Sequence, residues 1–354
     1  MISHQNRLLR SNGNRKRGDM VSGKSFGYKK APYRYVMKFT DGKWNDGYLS
    51  EDPNITLNES ACVFQYSQSC FEGLKAYRTK EGRIVCFRPD LNAERMAESC
   101  KRMVMPIIPK ERFIEALDKV ILANEDMIPE YSSGGSLYIR PFMIGTSSVL
   151  GVSPATEFEF RMIVSPVGSY FGDKDKSLSL KISDYDRAAP KGTGHIKTGI
   201  NYAMSLYPLQ IAHEEGYDEN LYLDSKDHIY IEETGGANIF FFSHEDKLLF
   251  PESSSILPSI TRRSVKYLAE EYLSIKTEER RVSINEIEGF KECGLCGTAA
   301  VIAPVGNIDV SGRRIIFDTS NNGYGEVCKK LRDCIQKIQY CELESPEGWI
   351  HMVR

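Results

Sequence analysis

Residues 192–202 read Gly-Thr-Gly-His-Ile-Lys-Thr-Gly-Ile-Asn-Tyr and place Lys197 among glycines, directly before a helical pattern. Glycine lets backbone or a ligand approach closely, and a lysine in such a place can be desolvated. A desolvated lysine loses its proton readily and becomes a nucleophile toward an aldehyde. The same residues also suit an ordinary surface loop, so this segment alone leaves the role of Lys197 open.

Strand and helix patterns alternate on both sides of this segment. Apolar residues at helical spacing predict helices near residues 93–104, 113–121, 201–215, 261–273 and 324–339. Short runs of strand-forming residues predict strands near residues 84–87, 136–142, 158–164, 178–183, 219–224, 229–232 and 237–242. Pro208 falls inside one predicted helix and should kink it. The pattern predicts a mixed fold, α+β or mixed α/β, in two layers or more.

The length of 354 residues favours two domains. Residues 166–175 contain proline and glycine followed by charges, which predicts a linker between a small domain at 26–165 and a larger one at 176–354. Residues 1–25 are basic and lack the apolar core of a secretory signal, so we expect a disordered tail. The expected location is the cytoplasm, and a mitochondrial presequence is the alternative.

Composition argues against several classes of function. The net charge is -2, so neither nucleic acid nor an anionic membrane is an expected partner. No apolar run is long enough to span a bilayer. The nine cysteines are irregularly spaced, which indicates free thiols in a reducing compartment. Cys293 and Cys296 form a lone CxxC pair without the second pair that a zinc site would need, so no metal is expected.

Two predicted strands carry charged side chains that could take part in catalysis or bind a ligand. Glu232 and Glu233 precede a glycine pair, and strand alternation sends them to opposite faces, so only one can point inward. Taken alone, such acids most often form a solvated strand end. The same period places Tyr138 and Arg140 on one face. A phenol beside a guanidinium suits a carboxylate ligand. A polar strand face that only contacts water would show the same sequence pattern.

Two further segments could bind an anion. Gly297, Thr298 and Ala299 are small residues whose exposed backbone N–H groups can form an anion-binding nest. Residues 255–262 resemble a loop that opens a helix, and the start of a helix favours phosphate. An ordinary turn and any other helix start would look the same, so neither segment identifies a site by itself.

Together these segments resemble the branched-chain amino acid aminotransferases, which are fold-type IV pyridoxal-phosphate enzymes. The resemblance runs from about Phe26 to Trp349. It includes, in the expected order, Phe71–Tyr77, Phe87–Pro89, Asn92–Arg95, Tyr138–Pro141, Leu150–Ser153, Pro166–Gly168 and the segments around Lys197, Glu233 and Thr298. The resemblance implies a small N-terminal α/β domain, a larger C-terminal pseudo-barrel domain, pyridoxal 5'-phosphate as cofactor and a homodimer.

The resemblance also implies roles for particular residues at the cofactor. Lys197 would bind pyridoxal 5'-phosphate as a Schiff base and shuttle the proton of the reaction. Glu233 would keep the pyridine nitrogen protonated, and Tyr202 would hydrogen-bond the 3′ oxygen. Arg95 would bind the phosphate, although helical periodicity alone places it on the solvated side of its helix. The other implied cofactor-binding residues are Asn238, Leu257, Ile260, Thr261 and Thr298.

The implied substrate pocket must accept both a branched apolar side chain and the γ-carboxylate of glutamate. Arg140 with Tyr138 would bind the γ-carboxylate, and backbone N–H groups of residues 298–299 would bind the α-carboxylate. Leu150 and Val152 would belong to a loop that closes the pocket of the neighbouring subunit. The residues implied to line the pocket are Tyr66, Phe71, Tyr138, Tyr170 and Ala299.

The implied activity is transamination of leucine, isoleucine and valine with 2-oxoglutarate, which gives branched-chain 2-oxo acids and glutamate. A D-amino acid aminotransferase or an aminodeoxychorismate lyase would share the roles of Lys197 and Glu233. Such siblings usually lack the Tyr138–Pro141 stretch combined with the small residues at 297–300. A non-catalytic protein of the same fold is a further alternative, but it would usually have lost the lysine.

Overall fold

The computed structural model describes residues 27–168 and 177–354. The predicted basic tail, most of the predicted linker and Tyr170 therefore lie outside the described residues. The described chain forms two nine-stranded sheets and six α-helices. None of these helices is both long and apolar enough to cross a membrane.

The first sheet is built mainly from the N-terminal half of the chain. Its strands are β1 (Arg34–Thr40), β2 (Lys43–Trp44), β3 (Tyr48–Ser50), β4 (Ser69–Phe71), β5 (Leu74–Arg78), β6 (Ile84–Phe87), β7 (Ser136–Gly145), β8 (Phe158–Val167) and the C-terminal β18 (Ile350–Met352). The helices of this half are α1 (Cys62–Tyr66), α2 (Pro89–Arg102) and α3 (Lys110–Leu122). The predicted helices near 93–104 and 113–121 are thus confirmed.

The second sheet is built from the C-terminal half. Its strands are β9 (Leu178–Ile182), β10 (Glu219–Leu223), β11 (Ile231–Thr234), β12 (Asn238–Ser243), β13 (Lys247–Pro251), β14 (Lys276–Arg280), β15 (Phe290–Gly297), β16 (Val301–Val310) and β17 (Arg313–Ile316). The helices are α4 (Gly199–Glu214), α5 (Ile260–Leu273) and α6 (Glu326–Gln339). Pro208 lies inside α4, as predicted.

The second sheet closes on itself. Its strands follow the order β11, β10, β9, β16, β15 and β12, and β11 also pairs with β12, so these six strands form a ring. The closing pair sets Glu233 opposite Asn238. This ring is the expected pseudo-barrel, and it brings the Glu233 strand next to the strand on which Asn238 lies.

Burial follows the predicted periodicities. On β7, Leu137 and Ile139 are completely buried, whereas Tyr138 and Arg140 on the opposite face are partly exposed. The apolar stripe of α6 is buried as expected, and its members are Val327, Leu331, Ile335 and Ile338. The alternation on β7 therefore packs one face into the core and turns the other toward the second half of the molecule.

The boundary between the two halves differs from the prediction in two places. Strand β8 continues through Val167, so the linker does not begin at residue 166. Strand β18 pairs with β6 in the first sheet, with Ile350 opposite Phe87. The last strand, β18, thus belongs to the first sheet. The predicted division into one N-terminal and one C-terminal domain does not include this strand in the first domain.

Candidate active site

A cavity of about 540 Å³ lies where the two halves meet. Residues from α2 and from the β4 and β7 strands form one side, and the ring of strands with α4 and α5 forms the other. The predicted site residues that line it are Phe71, Arg95, Tyr138, Arg140, Lys197, Tyr202, Glu233, Asn238, Leu257, Ile260, Thr298 and Ala299. Most of the residues predicted from separate segments are therefore gathered in one place.

Lys197 projects into this cavity from the loop before α4. Its backbone N–H donates to Ser99 Oγ at 3.0 Å, and its carbonyl accepts from the Phe71 N–H at 3.0 Å, which ties the loop to the first half. Its Nζ lies 2.7 Å from Tyr202 Oη and 4.8 Å from the centre of the Phe71 ring. The alternative of an ordinary surface loop is therefore wrong.

The shape of that loop depends on close approach and on one amide side chain. A Cβ at Gly194 would overlap the carbonyl of Ser255, so a larger residue does not fit there. Asn201 Nδ2 donates to the carbonyls of Thr193 and Ile196 at 2.8 and 2.9 Å. These contacts fix the backbone that carries Lys197 before the helix begins.

Glu233 is a buried carboxylate, 4% exposed, that also lines the cavity. Burial raises its pKa to about 7, although the positive charge of Arg187 acts in the other direction. Its Oε1 accepts from the Leu257 N–H at 2.9 Å, and its Oε2 accepts from Asn238 Nδ2 at 2.6 Å. Asn238 and Leu257 therefore hold the carboxylate from both sides.

Glu232, the neighbour of Glu233, points elsewhere. It is 3% exposed, so the alternative of a solvated strand end is wrong for both acids. Its Oε1 accepts from Ser253 Oγ at 2.6 Å, and it lines a second, smaller cavity. The expectation that alternation separates the two carboxylates is confirmed.

Arg187 is a site residue that the sequence did not reveal. Its side chain is 5% exposed, and its Nη2 lies 2.8 Å from Glu233 Oε1. It also donates to the carbonyl of Ser255. Arg187 lies in an irregular segment before the Lys197 loop, where no periodicity or motif marks it, so only the folded structure reveals its contact with Glu233.

Arg95 lines the cavity rather than facing solvent, so the placement from helical periodicity is wrong. Helical periodicity places Arg95 on the polar face of α2, and the second half of the molecule contacts this face. There Arg95 Nη1 donates to the Pro258 carbonyl at 3.0 Å. Its Nε and Nη2 donate to the two carboxylate oxygens of Glu72 at 2.7 and 2.8 Å. This bidentate pair fixes the guanidinium at the cavity edge.

Glu72 belongs to the Phe71–Tyr77 stretch that carries the family resemblance, but no role was predicted for it from the sequence. It is fully buried, and burial alone would raise its pKa; the charge and hydrogen bonds of Arg95 outweigh that effect, so the pKa is lowered. Asn92 Nδ2 also donates to Glu72, at 2.8 Å. Glu72 therefore remains a carboxylate that orients Arg95.

The start of helix α5 lies beside Arg95. Ser259 is the N-cap residue, and its Oγ accepts from the Arg262 N–H at 3.1 Å. Ile260 lines the cavity, while Thr261 is buried in the first turn and is not among the lining residues. The N–H groups at a helix start together with a guanidinium suit a phosphate group.

Tyr138 and Arg140 lie on the same wall, as the period of two predicted. Arg140 Nη2 donates to Tyr138 Oη at 3.0 Å, and the guanidinium lies 4.6 Å from the centre of the Phe71 ring. Arg140 forms no ion pair with an acid within residues 27–168 and 177–354, and its buried Nε has no hydrogen-bond partner there. An unpaired cation next to aromatic rings suits an anionic ligand.

The Thr298–Ala300 segment is the turn between β15 and β16. Thr298 and Ala299 line the cavity, and no described residue accepts a hydrogen bond from the backbone N–H groups of this turn. Val301 ends the turn with a φ of 61°, which is uncommon for a β-branched residue. The geometry agrees with an anion-binding turn.

Three predicted substrate residues lie away from the cavity of their own chain. Leu150 and Val152 are 84% and 91% exposed. Tyr66 does not line the cavity, and its hydroxyl donates to the carbonyl of Leu150. Tyr66 therefore does not line the cavity of the single chain, because α1 places it with the exposed 150–152 loop, and its role in a substrate pocket stays a prediction.

The residues of the cavity fit the cofactor that the resemblance implies. A lysine amine can bind an aldehyde, and Arg95 with the start of α5 can hold a phosphate. Glu233 is a carboxylate whose burial favours pairing with a protonated ring nitrogen. Asn238 Oδ1 is buried without a partner among the described residues. Pyridoxal 5'-phosphate carries all of the complementary groups.

Comparison with known proteins shows the family to which the chain belongs. Residues 69–308 match the model of the amino-transferase class IV family. The chain is 45% identical over 330 residues to the branched-chain-amino-acid aminotransferase of Haemophilus influenzae, which covers 92% of this chain and 96% of that protein. It is 44% identical over 330 residues to the enzyme of the same name from Helicobacter pylori, covering 93% and 96%.

A solved structure shows the same fold. The branched-chain amino acid aminotransferase from Thermobaculum terrenum in its PLP-form aligns with a TM-score of 0.75 and 25% identity, over 92% of this chain and 99% of that chain. The family match covers more than half of the chain, and the relatives match along nearly their whole length. The chain therefore belongs to the class IV aminotransferases, within the branched-chain-amino-acid aminotransferase family.

Proposed function

We propose that this protein transfers amino groups between leucine, isoleucine or valine and 2-oxoglutarate, with pyridoxal 5'-phosphate bound on Lys197. The single observation that carries the proposal is that the cavity holding Lys197 and Glu233 also holds the guanidinium of Arg140 beside aromatic rings, with no ion-pair partner among the described residues. The names of the relatives from Haemophilus influenzae and Helicobacter pylori support the branched-chain assignment.

Each residue around the cofactor has a separate role in the proposed reaction. When bound, pyridoxal 5'-phosphate supplies an electron sink for the electron pair left at the substrate α-carbon. Lys197 Nζ holds the cofactor between turnovers and takes the proton from the α-carbon, with Tyr202 Oη 2.7 Å away to orient the amine. Glu233 keeps the ring nitrogen protonated, and Arg187 keeps Glu233 in place.

Two different substrate side chains must use one pocket. Phe71 and the ring of Tyr138 offer apolar surface to a branched side chain. Arg140 and the Tyr138 hydroxyl offer charge and a hydrogen bond to the γ-carboxylate of glutamate or 2-oxoglutarate. This combination explains why one cavity can bind the amino donor and the amino acceptor in turn.

Arg140→Met should separate these two functions. We expect KM for 2-oxoglutarate to rise about 10–100-fold, which corresponds to the loss of a charge-assisted hydrogen bond. KM for L-leucine should stay within about threefold, because methionine keeps apolar volume beside Phe71. Steady-state kinetics with each substrate varied separately measure both values. Arg140→Lys, which keeps the charge, should give an intermediate KM for 2-oxoglutarate, and an equal loss for both substrates would contradict this role.

The functional unit is proposed to be a homodimer. Leu150 and Val152 expose apolar side chains on a loop whose carbonyl at residue 150 is bound by Tyr66. Exposed apolar side chains that stand together, unlike ones scattered singly, are typical of surfaces that become covered on association. In the proposed dimer, Tyr66 and the loop close the cavity of the partner subunit. Sedimentation equilibrium of the holoenzyme tests this state.

The cytoplasm is the proposed location. All nine cysteines are free, and all except Cys341 are buried. Buried free thiols suit a reducing compartment. Fractionation of cells with an antibody against the native chain tests the proposal, and recovery from an organelle would favour the mitochondrial alternative.

A substrate panel tests the function directly. Purified holoenzyme should transaminate L-leucine, L-isoleucine and L-valine with 2-oxoglutarate and should leave D-alanine unreacted. Turnover of D-alanine without turnover of L-leucine would instead favour the D-amino acid aminotransferase alternative. Release of pyruvate from aminodeoxychorismate would favour the lyase. Absence of a visible absorption band after reconstitution with the cofactor would favour a non-catalytic protein.

A further inference from the structure

Lys75 on β5 is a buried lysine that connects the two halves of the molecule. The residue is only 7% exposed, and its Nζ donates to the Ala299 carbonyl at 2.8 Å. Ala299 lies in the turn that faces the cavity, whereas Lys75 lies behind that turn and does not line the cavity. The amine therefore contacts the back of the 298–300 turn.

Lys75 has no compensating anion among residues 27–168 and 177–354. No ion pair joins it to an acid in the part of the chain that the structure describes, and burial alone lowers its pKa to about 8. A buried ammonium group is normally paired, because an isolated charge in the interior is costly. The charge of Lys75 is thus available to an anion that enters from outside.

On its sheet face, Lys75 is accompanied by a second cation and by no acid from its own strand β5 and the neighbouring strand β7. Its cross-strand partner on β7 is Tyr138, and Arg140 follows on that face. Tyr77 shares the face on β5, and burial raises the pKa of its phenol well above the usual value. The titratable and charged groups that face Lys75 from these two strands are therefore two phenols and one guanidinium.

The turn that Lys75 holds lines the cavity and has backbone hydrogen-bond donors without a partner among the described residues. The N–H groups of Thr298 and Ala299 donate to no described residue. The ammonium group fixes the Ala299 carbonyl at the rear, which sets the orientation of the neighbouring peptide planes. A carboxylate at the front would meet these N–H groups with a positive charge directly behind them.

We propose that Lys75 is a positioning residue for the α-carboxylate shared by all substrates: it holds the 298–300 turn in its binding orientation and supplies the charge behind it. The inference rests on the proposed function of the site. It differs from the role of Arg140, which serves only substrates with a second carboxylate.

Lys75→Met in the holoenzyme tests this inference. We expect KM for L-leucine and for 2-oxoglutarate to rise together, each about tenfold, while kcat changes less than about threefold. Lys75→Arg should restore both KM values. Lys181→Met is the matched control, because Lys181 is paired with Glu215 near the surface, and it should leave both KM values unchanged.

A second measurement remains informative even if Lys75→Met fails to fold. In the wild-type protein, KM for 2-oxoglutarate should rise as the pH passes through about 8, where Lys75 loses its proton. In Lys75→Arg this rise should be absent, since a guanidinium stays protonated. The keto acid carries no amine that titrates in this range, so the comparison reports on the protein.

The outcomes separate the inference from the function on which it rests. Unchanged KM values in Lys75→Met, or the same pH profile in wild type and Lys75→Arg, would overturn the role of Lys75 while wild-type turnover of L-leucine still supports the function. A wild-type holoenzyme that does not turn over L-leucine would overturn the function. In that case, unaltered binding of 4-methylpentanoate to Lys75→Met, followed by absorbance, would overturn the role of Lys75 as well.

Discussion

Lys197→Ala is expected to lower kcat for transamination of L-leucine with 2-oxoglutarate by about 10⁴-fold, the upper end for loss of a positioned acid–base group. Lys197 is the only lysine among the described residues that line the cavity. The guanidinium groups beside it cannot substitute, because arginine keeps its proton near neutral pH. Initial rates with saturating substrates, together with the visible spectrum of the reconstituted protein, measure the effect.

The chain offers a matched control for this substitution. Lys191 lies six residues earlier in the same loop and is exposed, so Lys191→Ala should leave kcat unchanged. Small primary amines added to Lys197→Ala should restore part of the rate, because they can enter the space left by the side chain and accept the proton. A Lys197→Ala variant with more than about one hundredth of the wild-type rate would remove Lys197 from its proposed role.

The elements were predictable from the sequence because their periodicities are strong. The helices containing Met96 and Leu331 and the strand with Tyr138 and Arg140 were predicted from spacing alone, and their buried faces agree. The position of Arg95 was not predictable in this way. Periodicity identifies the face that packs on its own sheet, whereas Arg95 contacts the second half of the molecule, far away in sequence.

The side chains that form ion pairs with Glu233 and Arg95 were the hardest part of the site to predict from the sequence. Arg187 contacts Glu233, and Glu72 contacts Arg95, across long sequence separations. Neither Arg187 nor Glu72 stands in a pattern that would distinguish it from other charged residues of the sequence. Lys75 illustrates the same limit, because strand alternation gives its face but not the Ala299 carbonyl that the fold brings to it. Tertiary pairing of charges therefore depends on contacts between distant segments, whereas secondary structure follows from local periodicity.

Glu233→Gln should weaken both activity and stability. We expect kcat to fall about 10–100-fold, because a neutral amide cannot hold the ring nitrogen of the cofactor in its protonated form. The free energy of unfolding of the cofactor-free protein should fall by about 1–3 kcal/mol at pH 5, because the amide leaves a buried hydrogen-bond donor without an acceptor. Kinetics and urea denaturation measure the two effects.

The hydrogen bonds of Glu233 explain why the amide does not fit. Both carboxylate oxygens are acceptors, one for the Leu257 N–H and the other for Asn238 Nδ2. In either orientation, the NH₂ group of glutamine would face one of these donors. Glu232→Gln is the matched control: that carboxylate faces Ser253 in the other cavity, so kcat should stay within about threefold of wild type.

The pH dependence provides an independent check on Glu233. Its folded-state pKa is raised to about 7 from an unfolded value of 4.5, so the native cofactor-free protein binds the proton more tightly than the unfolded chain does. The contribution of Glu233 to stability should therefore be greatest at low pH and decrease as the pH rises from about 4.5 to about 7. Because glutamine does not titrate, the stability difference between wild type and Glu233→Gln should decrease over the same range. A difference that grows with pH would mean that Arg187 outweighs burial and that Glu233 is already ionised before the cofactor binds.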